Sequence, residues 1–214
     1  MIGSIDELKK SYRLKKEDIK KRLKDFKELV NENDERLFAE MAFCICTPQS
    51  KATLAWKAIE AIVKNNYLFI GSENMIRPFL NSVRFCDNKA KFIVEARKKI
   101  KENGRWVLKE KILSFKDSFE AREWLVKNIK GFGMKEASHF LRNIGLGDNL
   151  AILDVHILDN LKTLGVIDEI PKNMSDKNYL KIESKLGDFS RLVGIPMDEL
   201  DLVFWSEETG IIFK

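Results

Sequence analysis

Residues 124–158 read WLVKNIKGFGMKEASHFLRNIGLGDNLAILDVHIL, and this stretch decides the fold. Two amphipathic helical patterns meet at Gly131-Phe132-Gly133. Before the meeting point, Phe119, Trp124, Leu125 and Val126 lead to a stop at Gly131. After it, Ala137, Phe140, Leu141 and Ile144 recur at helical spacing and stop at Gly145. Two glycines around one apolar residue predict a tight turn, because glycine adopts backbone angles denied to other residues and its bare backbone can approach a ligand. The next helix begins near Met134. Its first amides have no internal partner and point outward, which suits a phosphate, and Lys130 beside the turn adds positive charge.

Outward from the hairpin the apolar spacing stays helical. Ile19, Leu23, Phe26 and Val30 form one stripe. Leu37, Met41, Cys44 and Ile45 form a more apolar one, ended at Thr47-Pro48. Ser50 is placed to cap a helix that buries Leu54, Ala58, Ile59 and Ile62. Further segments carry Ala90, Ile93, Val94 and Arg97, then the stretch from Asp154 to Gly165, residues 177–193 and residues 196–208. No convincing strand is visible, and the apolar run 107–113 is broken by charge. The expectation is an all-α globule in two lobes. Residues 36–145 form a central lobe that carries a helix-hairpin-helix at about 119–145. Residues 1–35 and 146–214 form an outer lobe made from both termini.

Composition narrows the function. A chain of 214 residues, 44% hydrophobic and 33% charged, can bury a core without staples. Its net charge of +5 permits a polyanionic partner without requiring one. The three cysteines, Cys44, Cys46 and Cys86, cannot build a disulfide framework, which points to a reducing compartment. No apolar run reaches bilayer length, so no membrane role is expected. The cysteines and the two histidines, His139 and His156, lack metal-ligand spacing, so neither metal nor other cofactor is expected.

Helix, glycine turn bracketed by apolar residues, helix is the helix-hairpin-helix pattern of sequence-independent binding to the DNA backbone. Two further residues raise that pattern above an ordinary helical connection. Lys135 falls in the first turn of the second helix, where the positive end of the macrodipole disfavours a cation and so favours the neutral, nucleophilic amine. Asp154 follows the run Leu150-Ala151-Ile152-Leu153 and precedes a helical pattern. It is placed as an N-cap, ionised and fixed, able to stabilise a nearby cation.

These residues resemble the helix-hairpin-helix DNA glycosylases at Gly131, Gly133, Lys135, Gly147 and Asp154. GFGMKEASHFLRNIG, LDVHIL, IDEIPK, ELDLVFW and a lysine at the extreme C-terminus resemble more closely the compact, archaeal-type 8-oxoguanine DNA glycosylase/AP lyases, over nearly the whole chain. The resemblance implies the two-lobed fold of that superfamily. It implies a monomeric, cytoplasmic, nucleoid-associated enzyme acting on double-stranded DNA that contains 8-oxoguanine. Lys135 would attack the sugar of an extruded nucleotide, and Asp154 would stabilise the positive charge. Lys130, Gly131, Phe132 and Gly133 would contact the DNA backbone. Phe85, Trp205 and Lys214 would form the base pocket. Two other classes remain open: a non-enzymatic DNA-binding module, which has no need of Lys135 and Asp154 together, and a monofunctional glycosylase for another base, against which Lys135 argues.

Overall fold

The computed structural model describes residues 2–214. Among these the chain forms α1 (Ile5–Leu29), α2 (Asp34–Cys46), α3 (Ala52–Lys64), short α4 (Tyr67–Ile70) and α5 (Glu73–Ile76), and a 3-10 turn (Arg77–Leu80). There follow α6 (Cys86–Lys99), strands β1 (Lys101–Glu102) and β2 (Arg105–Trp106), α7 (Leu108–Leu113), α8 (Ser118–Asn128), α9 (Met134–Asn143), α10 (Val155–Thr163), α11 (Asp176–Val193) and α12 (Met197–Thr209). The all-α reading therefore holds, apart from one small antiparallel hairpin. That hairpin turns at Asn103 and Gly104, both with positive φ, and residues 108–113 of the charged-apolar run become α7.

Local chemistry sets the helix starts. Side chains of Ser4, Asn33, Asp117, Asp154 and Ser175 each accept a hydrogen bond from a first-turn amide of the helix that follows. The helix α3 departs from expectation. Lys51 precedes it without a side-chain cap, and the Ser50 hydroxyl instead accepts from Arg84 N at 3.0 Å and Lys89 Nζ at 3.2 Å. Ser50 thus ties two loops together rather than starting a helix.

Two apolar clusters lie beneath these helices. One gathers Phe38, Phe43, Ile59, Ile93, Leu125 and Phe140 from the middle of the chain. The other gathers Leu8, Ile19, Phe26, Leu161, Tyr179 and Phe204 from the two ends, with α1 lying along α12.

The α8–α11 contact contains a buried ion pair. Arg122 Nη1 and Nη2 bind Glu183 Oε1 and Oε2 at 2.6 and 2.8 Å. Arg122 Nη1 also donates to Ser138 Oγ, and Glu183 Oε1 accepts from Ala151 N. Removing one partner of such a pair leaves an uncompensated buried charge. Glu183→Ala is therefore expected to destabilise the protein by about 3–5 kcal/mol. Urea unfolding checks this, and a loss near 1 kcal/mol or less would show the pair to be dispensable.

Candidate active site

The hairpin positions everything that follows. Gly131 has φ +90°, and a Cβ there would meet Phe92 Cδ2 at 2.7 Å, so both conformation and space demand glycine. Gly133 is different: its φ of −103° is open to any residue. Its N–H donates to Glu136 Oε2 at 3.1 Å, which closes the start of α9. The Phe132 side chain is buried against Phe140, with ring centroids 6.2 Å apart, and its N–H donates to Ile129 O. What Phe132 brings to the turn is packing, since its amide is already engaged. The first helical bond returning to the turn runs from Ala137 N to Gly133 O, so the amides of Met134 to Glu136 have no carbonyl a turn behind them to bind. Lys130 is exposed and 3.6 Å from Glu95. Gly131→Ala should cost about 1–3 kcal/mol through the left-handed backbone alone. It should also weaken DNA binding, because Phe92 and the turn must shift. Thermal unfolding together with a DNA titration checks both, and an unchanged Tm would contradict the steric reading.

Along α9, Lys135, His139 and Arg142 recur at steps of one turn and so share a face. All three line a cavity of about 750 Å³, together with Asp154, Asp201, Trp205 and Lys214. The expected pair, Lys135 and Asp154, is thus brought to one space by two helix N-termini. Lys135 Nζ lies 3.7 Å from Glu136, which the hairpin already uses. The half-buried Asp154 caps α10 by accepting from Ile157 N at 2.9 Å.

Arg142 pairs with Asp201 at 3.3 Å. Burial pushes the Asp201 carboxyl up to about 6; Arg142 and Lys135 pull it down, and Asp154 pushes it further up. Three charges around the cavity therefore act on Asp201. His139, also buried, is held well below its usual range, first by burial and then by Arg142 and Lys135. The sequence alone gives His139, Arg142 and Asp201 no role in the site. Their helical spacing from Lys135, and the place of Asp201 beside Leu200 in an apolar helix, were the available signals.

The C-terminus docks. Phe213 stacks on Trp205 with centroids 6.3 Å apart and packs edge-on against Phe43. The Lys214 ammonium sits in a closed cage, 2.5 Å from Glu40 Oε1 and 3.1 Å from the centroid of the Trp56 ring. Burial lowers it to about 8, against the pull of Glu40. Glu40 is fully buried and also takes Arg36 at 2.7 Å and Asn143 Nδ2 at 3.1 Å. The Lys214 side chain is therefore an anchor, and its main chain reaches His139. Glu40 and Trp56 were not foreseen, because residues so far apart in sequence meet only through the fold.

Phe85 is not among the residues lining this cavity. It stands 53% exposed before α6, at φ +59°, with the Arg84 guanidinium 5.4 Å from its ring. Gln49, also left-handed at φ +54°, does line the cavity, as does exposed His156. The 49 and 85 loops are joined through Ser50 and Lys89, whose ammonium also donates to Cys46 O and Pro48 O at 2.7 Å each.

A glycine turn that feeds a helix with a lysine on its cavity face defines a helix-hairpin-helix protein with more than backbone contact built into it. Comparison with known proteins agrees. The 8-oxoguanine DNA glycosylase family matches residues 19–195, and this chain belongs to it. A protein of Fusobacterium nucleatum named 8-oxoguanine DNA glycosylase/AP lyase is 48% identical over 210 residues, covering 98% of this chain and 97% of the relative. One of the same name from Korarchaeum cryptofilum is 43% identical, covering 93% and 91%. Among solved structures, the Methanocaldococcus jannaschii 8-oxoguanine glycosylase/lyase in complex with a 15mer DNA containing 8-oxoguanine superposes with a TM-score of 0.86 at 38% identity, covering 97% of this chain and 99% of that one. The Thermotoga maritima 8-oxoguanine DNA glycosylase gives 0.85 at 36% identity, covering 98% of each. Among the described residues no helix is long and apolar enough to cross a membrane.

Proposed function

We propose that this chain is a bifunctional DNA repair enzyme that excises 8-oxoguanine and nicks the resulting abasic strand. The observation that carries the reading is that Lys135, in the first turn of the helix that the glycine hairpin starts, and Asp154, the N-cap of α10, open onto one cavity. Near-complete coverage by relatives named for this activity supports it.

A base stacked inside a duplex is unreachable, so the nucleotide must be extruded into the cavity. The neutral Lys135 amine attacks sugar C1′, and the bond to the base breaks with its electron pair leaving on the base, which takes up a proton. Asp154 stabilises the positive charge that develops on the sugar. The sugar ring opens to a Schiff base on Lys135. Loss of a C2′ proton then expels the 3′ phosphate and nicks the strand. The free amides of Met134 to Glu136 and the Lys130 ammonium position the backbone, while Trp205 offers a ring face to the base. The apolar clusters support a central lobe, 36–145, and an outer lobe, 1–35 plus 146–214, with Leu150 and Phe213 packing across the division. On this reading the enzyme acts as a monomer on chromosomal DNA, in the cytoplasm and associated with the nucleoid.

Borohydride reduction of a mixture with 8-oxoguanine duplex tests the proposal. A lysine lyase becomes covalently attached to its DNA, whereas a binding module or a monofunctional glycosylase does not. Asp154→Asn should slow excision by about 10²–10³, the scale set by loss of one preorganised electrostatic group. It should leave stability nearly unchanged, since asparagine caps helices well. Excision near the wild-type rate would reduce Asp154 to a cap.

A further inference from the structure

His139 is 5% exposed and lines the cavity one turn beyond Lys135 on the same face of α9. Phe43 fixes its ring plane edge-on, at 5.5 Å and 74°. Neither ring nitrogen has a hydrogen-bond partner of sound geometry, although the Lys214 main chain lies close enough to favour a protonated ring. An unpaired buried polar group is costly, and a core position would be better filled by phenylalanine. The groups facing it are Arg142, Lys135 and the Lys214 end of the chain. The cationic side chains and burial together keep the ring neutral. A neutral imidazole carries one donor and one acceptor, and can present either to a ligand.

We infer that His139 is a specificity-determining residue that hydrogen-bonds the edge of the purine extruded into the cavity, while its other nitrogen faces the main chain of Lys214. This rests on the glycosylase reading above. A purine edge matches the site chemically, because it offers both acceptors and N–H donors in one plane, and a planar ring held by Phe43 can meet them without moving. The alternative is a histidine that only packs.

The two roles separate on two substrates. Excision of 8-oxoguanine needs the base to be read. Borohydride trapping on a preformed abasic site involves no base at all. His139→Phe keeps the ring and its contact with Phe43 but loses both nitrogens. It should lower single-turnover excision about tenfold or more, the worth of one good hydrogen bond in a closed site. Trapping on abasic DNA should stay within about twofold. His139→Asn, with a donor and an acceptor on a shorter arm, should fall between wild type and His139→Phe in excision. Unchanged excision in both variants, or an equal fall in excision and abasic trapping, would overturn the inference. If His139→Phe does not fold, His139→Asn alone decides by the same comparison. A wild-type protein inactive on both substrates would instead overturn the proposed function, and the role of His139 with it.

Discussion

Lys135→Gln should yield no covalent adduct with either 8-oxoguanine or abasic DNA after borohydride reduction. Excision should fall by roughly 10⁴-fold or more, the scale on which loss of an enzymic nucleophile is felt. The fold should hardly notice. Lys135 lies on the cavity face of α9, its ion-pair partner Glu136 keeps its bond to Gly133 N, and a helix N-terminus does not favour a cation in its first turn. DNA affinity should stay within about threefold, because backbone contacts supply most of it. The variant also removes one of the charges that draw the Asp201 carboxyl down, so that group should titrate higher still. Trapping that persists in Lys135→Gln would move the nucleophile to another amine and sink the assignment.

The contrast between Lys135 and Lys214 shows what the sequence could and could not carry. The positions of Lys135 and Asp154 were legible because they are local. Each stands at a helix N-terminus, and helix starts are written in short spacings of glycine, capping residues and apolar stripes. The helices around them were legible for the same reason. The Asn103-Gly104 turn was equally local and carried the usual signal for a two-residue hairpin, but strands of two residues leave no alternating pattern to read. Ser50 had the chemistry of a cap, and the structure commits its hydroxyl to Arg84 and Lys89 instead. The Glu40 cage joins residues from α2, α9 and the last position of the chain. No periodicity encodes such a meeting. A glutamate in the apolar helix α2 was the one anomaly that asked for a buried partner.

That cage changes what a C-terminal variant should do. Guanine and 8-oxoguanine differ at N7, a bare acceptor in the first and a protonated donor in the second, so a fixed acceptor in the cavity favours the lesion. On the proposed reading Lys214 supplies an anchor through its side chain and an acceptor through its main chain, and the two are separable. Extending the chain by a few Gly and Ser residues keeps the ammonium between Glu40 and Trp56 and removes only the free carboxylate. Stability should change little, and the ratio of 8-oxoguanine to guanine excision should fall by about 10- to 100-fold, as expected for one hydrogen bond to a charged group. Glu40→Gln does the reverse. It leaves the carboxylate in place but strips the buried Lys214 cation and the half-buried Arg36 of their partner, at a cost of about 3–5 kcal/mol. The tail should then loosen, with stability and discrimination lost together. Deleting Lys214 combines both defects, with the added burden of a Glu40 left to Arg36 and Asn143 alone. The extended chain is therefore the decisive variant. A ratio that stays at the wild-type value, in a protein of wild-type stability, would mean that the docked tail closes the cavity without reading the base, and Lys214 would leave the site.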